Sequence, residues 1–221
     1  FTMHGNTSFK IVDGLEASTT FDFSNAIKNP LTGDYFACLG RGLMMSPTHI
    51  GKYTDGTFAT GGTNKNQQSA EFYETFYDRE TVRNKFMGTM NLRWSPVNWF
   101  DITAQYTIYD ENYRGSYYAY GEVNGTPNYV STTRSTTETR TQTMRHDAQI
   151  FAVFKKDWNE HRFDATVGAD YTYWRYWYLN ASNTGSLSDK VPLLQSGGTN
   201  TAGTMDMSNK DYAQALLSFF A

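Results

Sequence analysis

Nothing in these 221 residues approaches the roughly 20 consecutive apolar residues that a membrane-spanning helix needs, so a membrane, if the chain meets one, is crossed by strands. A single cysteine, Cys38, excludes a disulfide framework and a thiolate metal site, and it reads as a small, partly buried side chain. The Lys and Arg residues form no cluster and the formal net charge is −3, which removes the electrostatic footprint of a nucleic-acid binder. The four histidines, His4, His49, His146 and His161, lack metal-ligand spacing such as HExxH. Glu71, Glu74, Asp78 and Glu80 read as the solvated face of a short helix with Phe72, Tyr73 and Phe76 opposite, not as paired catalytic carboxylates. No catalytic residue, metal or cofactor is therefore expected. Phe1 is preceded by no basic or apolar leader, so an export signal is expected to have been removed or to lie outside this sequence.

Aromatic residues are abundant, with 16 Tyr, 15 Phe and 5 Trp. Yet the mean hydropathy is −0.60, so apolar side chains must be interspersed with polar ones. The interspersion is regular. Phe100, Ile102, Ala104, Tyr106 and Ile108 alternate with Asp101, Thr103, Gln105, Thr107 and Tyr109, the period of two that gives a strand one greasy and one wet face. Phe86, Gly88, Met90, Leu92 and Trp94 do the same just before, and Ser95-Pro96-Val97-Asn98 between them reads as a hairpin turn. A second hairpin is expected from Ala148–Phe154, a turn over residues 156–160, and the run Phe163 to Tyr173. A third is expected from residues 7–26 around Asp13-Gly14, and a last strand from Tyr212 to Ala221.

About seven strands result, and their connections sort into two classes. Tight turns near Asp13, Pro96 and Trp158 alternate with long polar stretches, roughly residues 27–82, 114–141 and 181–210. Short turns at one end and long loops at the other are the signature of an all-β, antiparallel transmembrane β-barrel, with short periplasmic turns and long extracellular loops. Closure is required because the bilayer core offers no water to unpaired backbone groups. Trp94, Trp99, Phe100 and Trp158 lie beside the short turns, where an interfacial aromatic girdle is expected. Bacterial single-chain barrels have an even number of strands, eight at least, so seven make a partial wall.

Two segments carry a resemblance to a known family. Trp94-Ser95-Pro96-Val97-Asn98-Trp99-Phe100-Asp101-Ile102, with Val12-Asp13-Gly14-Leu15 as a shorter version, resembles the periplasmic turns of the SusC/RagA-like TonB-dependent transporters of Bacteroidetes. Ser46-Pro47 followed by Tyr53-Thr54-Asp55-Gly56-Thr57-Phe58 resembles an external segment of the same family. The resemblance implies that residues 1–221 are part of one barrel domain without its plug, placed as a multi-pass protein in the bacterial outer membrane. It implies nutrient uptake, oligosaccharide or peptide, under a SusD-like surface lipoprotein and powered through TonB, which would engage a segment absent here. Lipid bilayer and lipopolysaccharide would surround the wall. A passive porin and a secreted glycan-binding sandwich or adhesin are the alternatives.

Tyr113, Tyr117, Tyr118 and Tyr120 form an aromatic loop cluster whose flat rings with polar tips suit sugars or peptides. Tyr171 to Tyr178 fit an external girdle, with Trp174 and Trp177 kept as further candidate ligand contacts. The Ser/Thr-rich stretch 131–143 is expected to be a strand projecting above the bilayer, polar on both faces.

Overall fold

The computed structural model describes residues 1–30, 43, 52–54, 56, 58, 70–124, 129–131, 134–158, 161–185, 188–190, 192–194 and 205–221. Cys38, Ser46-Pro47, His49, Asp55 and Thr57 lie outside the described residues. So do the side chains of Phe72, Tyr73 and Trp158.

Seven long antiparallel strands make one sheet. In chain order the elements are β1 (Thr2–Val12), β2 (Leu15–Lys28), helix α1 (Ala70–Phe76), β3 (Tyr77–Val97), β4 (Phe100–Ala119), β5 (Glu122–Asn124), β6 (Tyr129–Ser131), β7 (Ser135–Trp158), β8 (His161–Thr184) and β9 (Met205–Phe220). The sheet order is β1-β2-β3-β4-β7-β8-β9, and β5 with β6 forms a separate small hairpin above β4 and β7. Each strand pairs with its neighbour in sequence within the sheet, so the wall is a meander.

Register sorts the side chains by face. Leu92, Ala104, Ile150, Ala169 and Phe219 stand in one row, and Met90, Tyr106, Ala148, Tyr171 and Leu217 in the next. One residue over, Asn91, Gln105, Gln149, Asp170 and Ser218 form a row on the opposite face. The apolar face is solvent-facing in the isolated sheet: Met90, Ile150 and Leu217 are 63, 54 and 59% exposed. A soluble sandwich would bury this face; here nothing among the described residues covers it. On β4 the apolar band runs from Phe100 to Ile108 and ends at Asp110. Nine residues at the strand rise span about 27 Å, and a 40° tilt reduces that to about 21 Å, close to the apolar band of an outer-membrane barrel. Phe21, Phe86 and Met144 lie at the upper margin of the band on neighbouring strands.

The lower hairpins close tightly. Gly14 takes φ +79° in the β1–β2 turn, and a Cβ there would meet the Ser95 carbonyl oxygen at 2.5 Å. Glycine satisfies both the left-handed backbone and the close approach. That approach is used, since the Ser95 amide donates to the Gly14 carbonyl at 2.6 Å, tying two turns together. The Ser95–Asn98 turn is shorter than its composition suggests. β3 continues to Val97, and the pairing slips between Trp94 and Val97, so Ser95 and Pro96 form a bulge and only Asn98 and Trp99 turn. A bulge is where a strand accommodates a proline without losing a ladder donor.

The upper ends depart further from expectation. β4 runs for 20 residues and β7 and β8 for 24 each, against the 9–11 needed to span a bilayer. The strands therefore stand well above the apolar band, and much of what composition assigns to long loops is paired sheet. β7 begins at Ser135, so most of the Ser/Thr-rich stretch is strand as expected. The acidic stretch divides: Glu71 and Glu74 are on α1, whereas Asp78 and Glu80 are on β3. Tyr113, Tyr117 and Tyr118 belong to β4 rather than to a loop, and Tyr120 follows its end.

Candidate functional site

Above the apolar band the inner, wet face carries a ladder of aromatic and charged side chains. Its rows read, from below, Asp22–Met87–Tyr109–Arg145–Trp174–Gln214, then Ser24–Lys85–Glu111–Thr143–Tyr176–Tyr212, then Ala26–Arg83–Tyr113–Thr141–Tyr178–Lys210. Tyr117 pairs with Arg79 and Thr137 higher up. The rings make contact along and across strands: Trp174 and Tyr176 stack at 6.1 Å, Tyr176 and Tyr212 at 6.3 Å, and Tyr77 and Tyr117 at 6.1 Å.

Charge is threaded through the rings. Glu111 lies 3.4 Å from Arg83 and 3.2 Å from Lys85, and it accepts a 2.5 Å hydrogen bond from the Tyr109 hydroxyl. The Arg83 guanidinium also sits 5.5 Å over the Tyr113 ring. Near α1, Lys52 reaches Glu71 at 2.5 Å and lies 4.6 Å over Phe58, which packs edge-on against Phe76 at 5.6 Å. Phe58 is only 6% exposed and packs against Phe76 and Tyr77, where α1 meets β3.

Of the six residues expected to touch ligand, Tyr113, Tyr117 and Trp174 share this inner face. Tyr118 and Trp177 point to the other side of the sheet, because strand neighbours alternate. Tyr118 is 4% exposed and packs edge-on against Tyr120 at 4.7 Å. Both sit under the segment that carries Asp189, a structural latch. Arg134 donates to Asp189 through Nε at 2.7 Å and Nη2 at 2.9 Å, the Gly121 amide donates at 3.1 Å, and the Tyr118 hydroxyl at 3.3 Å. The Arg134 hydrogen bond holds the Asp189 carboxyl below the usual aspartate range. Burial pushes the Tyr118 and Tyr120 hydroxyls up. The sequence reading missed Tyr109 and Tyr212 and gave Tyr176 and Tyr178, which register places on this inner face, to the external girdle; carrying the alternation of Ile102–Ile108 upward would have found Tyr109 and separated Tyr113 and Tyr117 from Tyr118.

At the lower rim, Trp99 and Phe100 rings lie 6.0 Å apart and Phe100 meets Phe154 at 4.7 Å. Lys156 sits 5.7 Å over Trp99, and Trp94 and Trp99 are 47 and 46% exposed. Trp158 pairs with His161 at the foot of the next hairpin. Of the histidines, His4 meets Asp22 at 2.5 Å and His146 meets the Tyr106 hydroxyl at 2.6 Å. Among the described residues no group of three His, Cys, Asp or Glu side chains could hold a metal ion.

A lipid-facing apolar band, a wet opposite face, short lower turns and tall upper hairpins define an arc of a transmembrane β-barrel wall. No family model matches the sequence, and no curated protein does. Solved structures match the fold. The RagAB peptide importer in its open-open state superimposes with a TM-score of 0.77 at 19% identity, over 97% of this chain and 24% of that one. Its closed-closed state gives 0.76 at 19% identity, over 99% and 25%. A further structure of the RagAB peptide transporter gives 0.70 at 15% identity, over 97% and 25%. The fold is SusC/RagA-like, and the chain spans about a quarter of the length of the solved chains it matches.

Proposed function

We propose that residues 1–221 are part of the barrel domain of a TonB-dependent, SusC/RagA-like transporter that imports peptides or oligosaccharides across a bacterial outer membrane. The observation that carries this reading is the two-faced seven-strand wall, whose backbone follows the barrel of a peptide importer over almost its whole length. β1 and β9 are the sheet's edges. In lipid each unpaired edge group would cost several kcal/mol, so further strands pair there and close the barrel, and a plug domain occupies the lumen. Trp94, Trp99, Phe100 and Trp158 anchor the lower rim at the periplasmic interface. The tall upper hairpins present Tyr113, Tyr117 and Trp174 to ligand, beneath a SusD-like lipoprotein. No bond is made or broken in such a wall; its residues bind, orient and release.

Uptake by cells carrying the intact protein tests this. Labelled peptides or oligosaccharides above the porin size limit are expected to enter, and entry is expected to stop when TonB is deleted or the inner-membrane proton gradient is collapsed. Uptake that persists under both treatments contradicts energy coupling and fits a passive channel.

A further inference from the structure

The upper inner wall is charged out of keeping with the rest of the chain. From the Lys85 row upward, among the residues whose side chains are described, register places Lys28, Arg79, Arg83, Lys85 and Lys210 on this face, against Glu111. The chain as a whole carries a formal charge of −3. Lower on the same face, within the apolar band's depth, the balance reverses, with Glu16, Asp101, Asp147 and Asp170 against Lys10 and Arg93.

Within the basic region one cation stands apart. Glu111 already engages Arg83 and Lys85. Arg79 is half-buried, yet among the described residues it has no hydrogen-bond or ion-pair partner. It lines a cavity of about 340 Å³ together with Tyr113, Gly115, Tyr117, Thr137 and Thr139. Gly115 leaves the floor open. A Cβ there would meet the Tyr113 hydroxyl at 2.9 Å, so any side chain would displace the ring or fill the space. A guanidinium offers five donors in a planar fork that matches a carboxylate bidentately, and leaving such a group half-desolvated without a partner is costly. Threonine and tyrosine hydroxyls on the same walls supply adjustable further donors.

We propose that this cavity is a carboxylate subsite: Arg79 grips an anionic group of the transported ligand, and the Thr137, Thr139 and Tyr113 hydroxyls complete its shell. The proposal rests on the import reading and narrows its substrate to carboxylate-bearing oligomers. An acidic side chain or free C-terminus of a peptide and a uronic acid of an oligosaccharide present the same group.

The test is calorimetric binding to the intact transporter, with four probes: a glutamate-containing peptide, its glutamine and C-amidated counterpart, an oligogalacturonate, and its methyl ester. One acidic probe is expected to bind about tenfold tighter than its neutral counterpart, as a charge-assisted hydrogen bond allows; which one identifies the source of the carboxylate. Arg79→Gln is expected to abolish that preference by weakening the acidic probe to the level of its neutral counterpart, which still binds, and Arg79→Lys to retain part of it. Retained neutral binding also shows that the variant is folded. Equal binding of acidic and neutral probes by the wild type, with import intact, overturns the subsite and leaves the import reading standing. So does an acid preference that survives Arg79→Gln. A wild type that binds and imports none of the probes overturns both.

Discussion

Replacing Ala104 by arginine is expected to lower the stability of the folded barrel by about 2–4 kcal/mol, the cost of a cation on the lipid face near the bilayer midplane. Ala104 lies midway between Phe100 and Ile108, and its row neighbours Leu92 and Ile150 are apolar on both sides. A guanidinium there has no carboxylate on its own face until Asp110, six residues along the strand. Gln105→Arg is the control, because Gln105 lies one position away on the wet face between Asn91 and Gln149. That substitution is expected to change stability by less than about 0.5 kcal/mol, as a solvated surface change does. Urea unfolding of the intact barrel in lipid vesicles measures both. A similar, small effect of the two substitutions would mean that the faces are not in lipid and water.

Asp189→Ala is expected to release the segment it fastens without unfolding the wall. Four donors converge on this carboxylate, from Arg134, Gly121 and Tyr118, and they tie residues up to 71 positions apart. The Asp189 side chain is 37% exposed, so solvent screening limits the local loss to about 1–2 kcal/mol. Hydrogen exchange reads it directly: the Gly121 amide is expected to lose roughly tenfold or more of its protection, while amides between β4 and β7 at the depth of Ala104 keep theirs. The latch is also pH-dependent, with a fixed sign. Because the folded carboxyl is held below its ordinary value, the contribution is present above the unfolded aspartate pKa and is lost as pH falls through the lower, folded one. Protection at Gly121 that is unchanged by the substitution would remove Asp189 from this role.

How much of this was legible in the sequence follows where the physical contrast is strong. Between Phe100 and Ile108 the two faces see lipid and water, so selection of side chains is sharp and the strand, its register and its neighbours can be read directly. Above Asp110 both faces are wet. Glu111, Asn112, Arg114 and Ser116 alternate with nothing, so the upper half of β4 reads as loop although the backbone remains paired to Ala119. The same loss of contrast hid the start of β3. Tyr113, Tyr117, Tyr118 and Tyr120 consequently read as one cluster, and only strand parity divides them into two on the lumen side and two under the Asp189 latch. Gly14 was legible because a turn demands positive φ, whereas its contact with Ser95 was not, since that depends on a bulge in another hairpin. The Arg134–Asp189 pair, 55 residues apart in sequence, leaves no local pattern at all.

The central claim is that one face of this sheet lies in lipid and the other in water, and site-directed spin labelling along β4 tests it most directly. Single cysteines from Asp101 to Tyr109 are introduced into the intact protein after Cys38 is replaced, and each label is probed with oxygen and with a water-soluble relaxation agent. Labels at Ile102, Ala104, Tyr106 and Ile108 are expected to be accessible to lipid-dissolved oxygen, and labels at Thr103, Gln105 and Thr107 to the aqueous agent, with a period of two. Shielding of the apolar positions from both agents would place them in a buried soluble core and contradict the barrel.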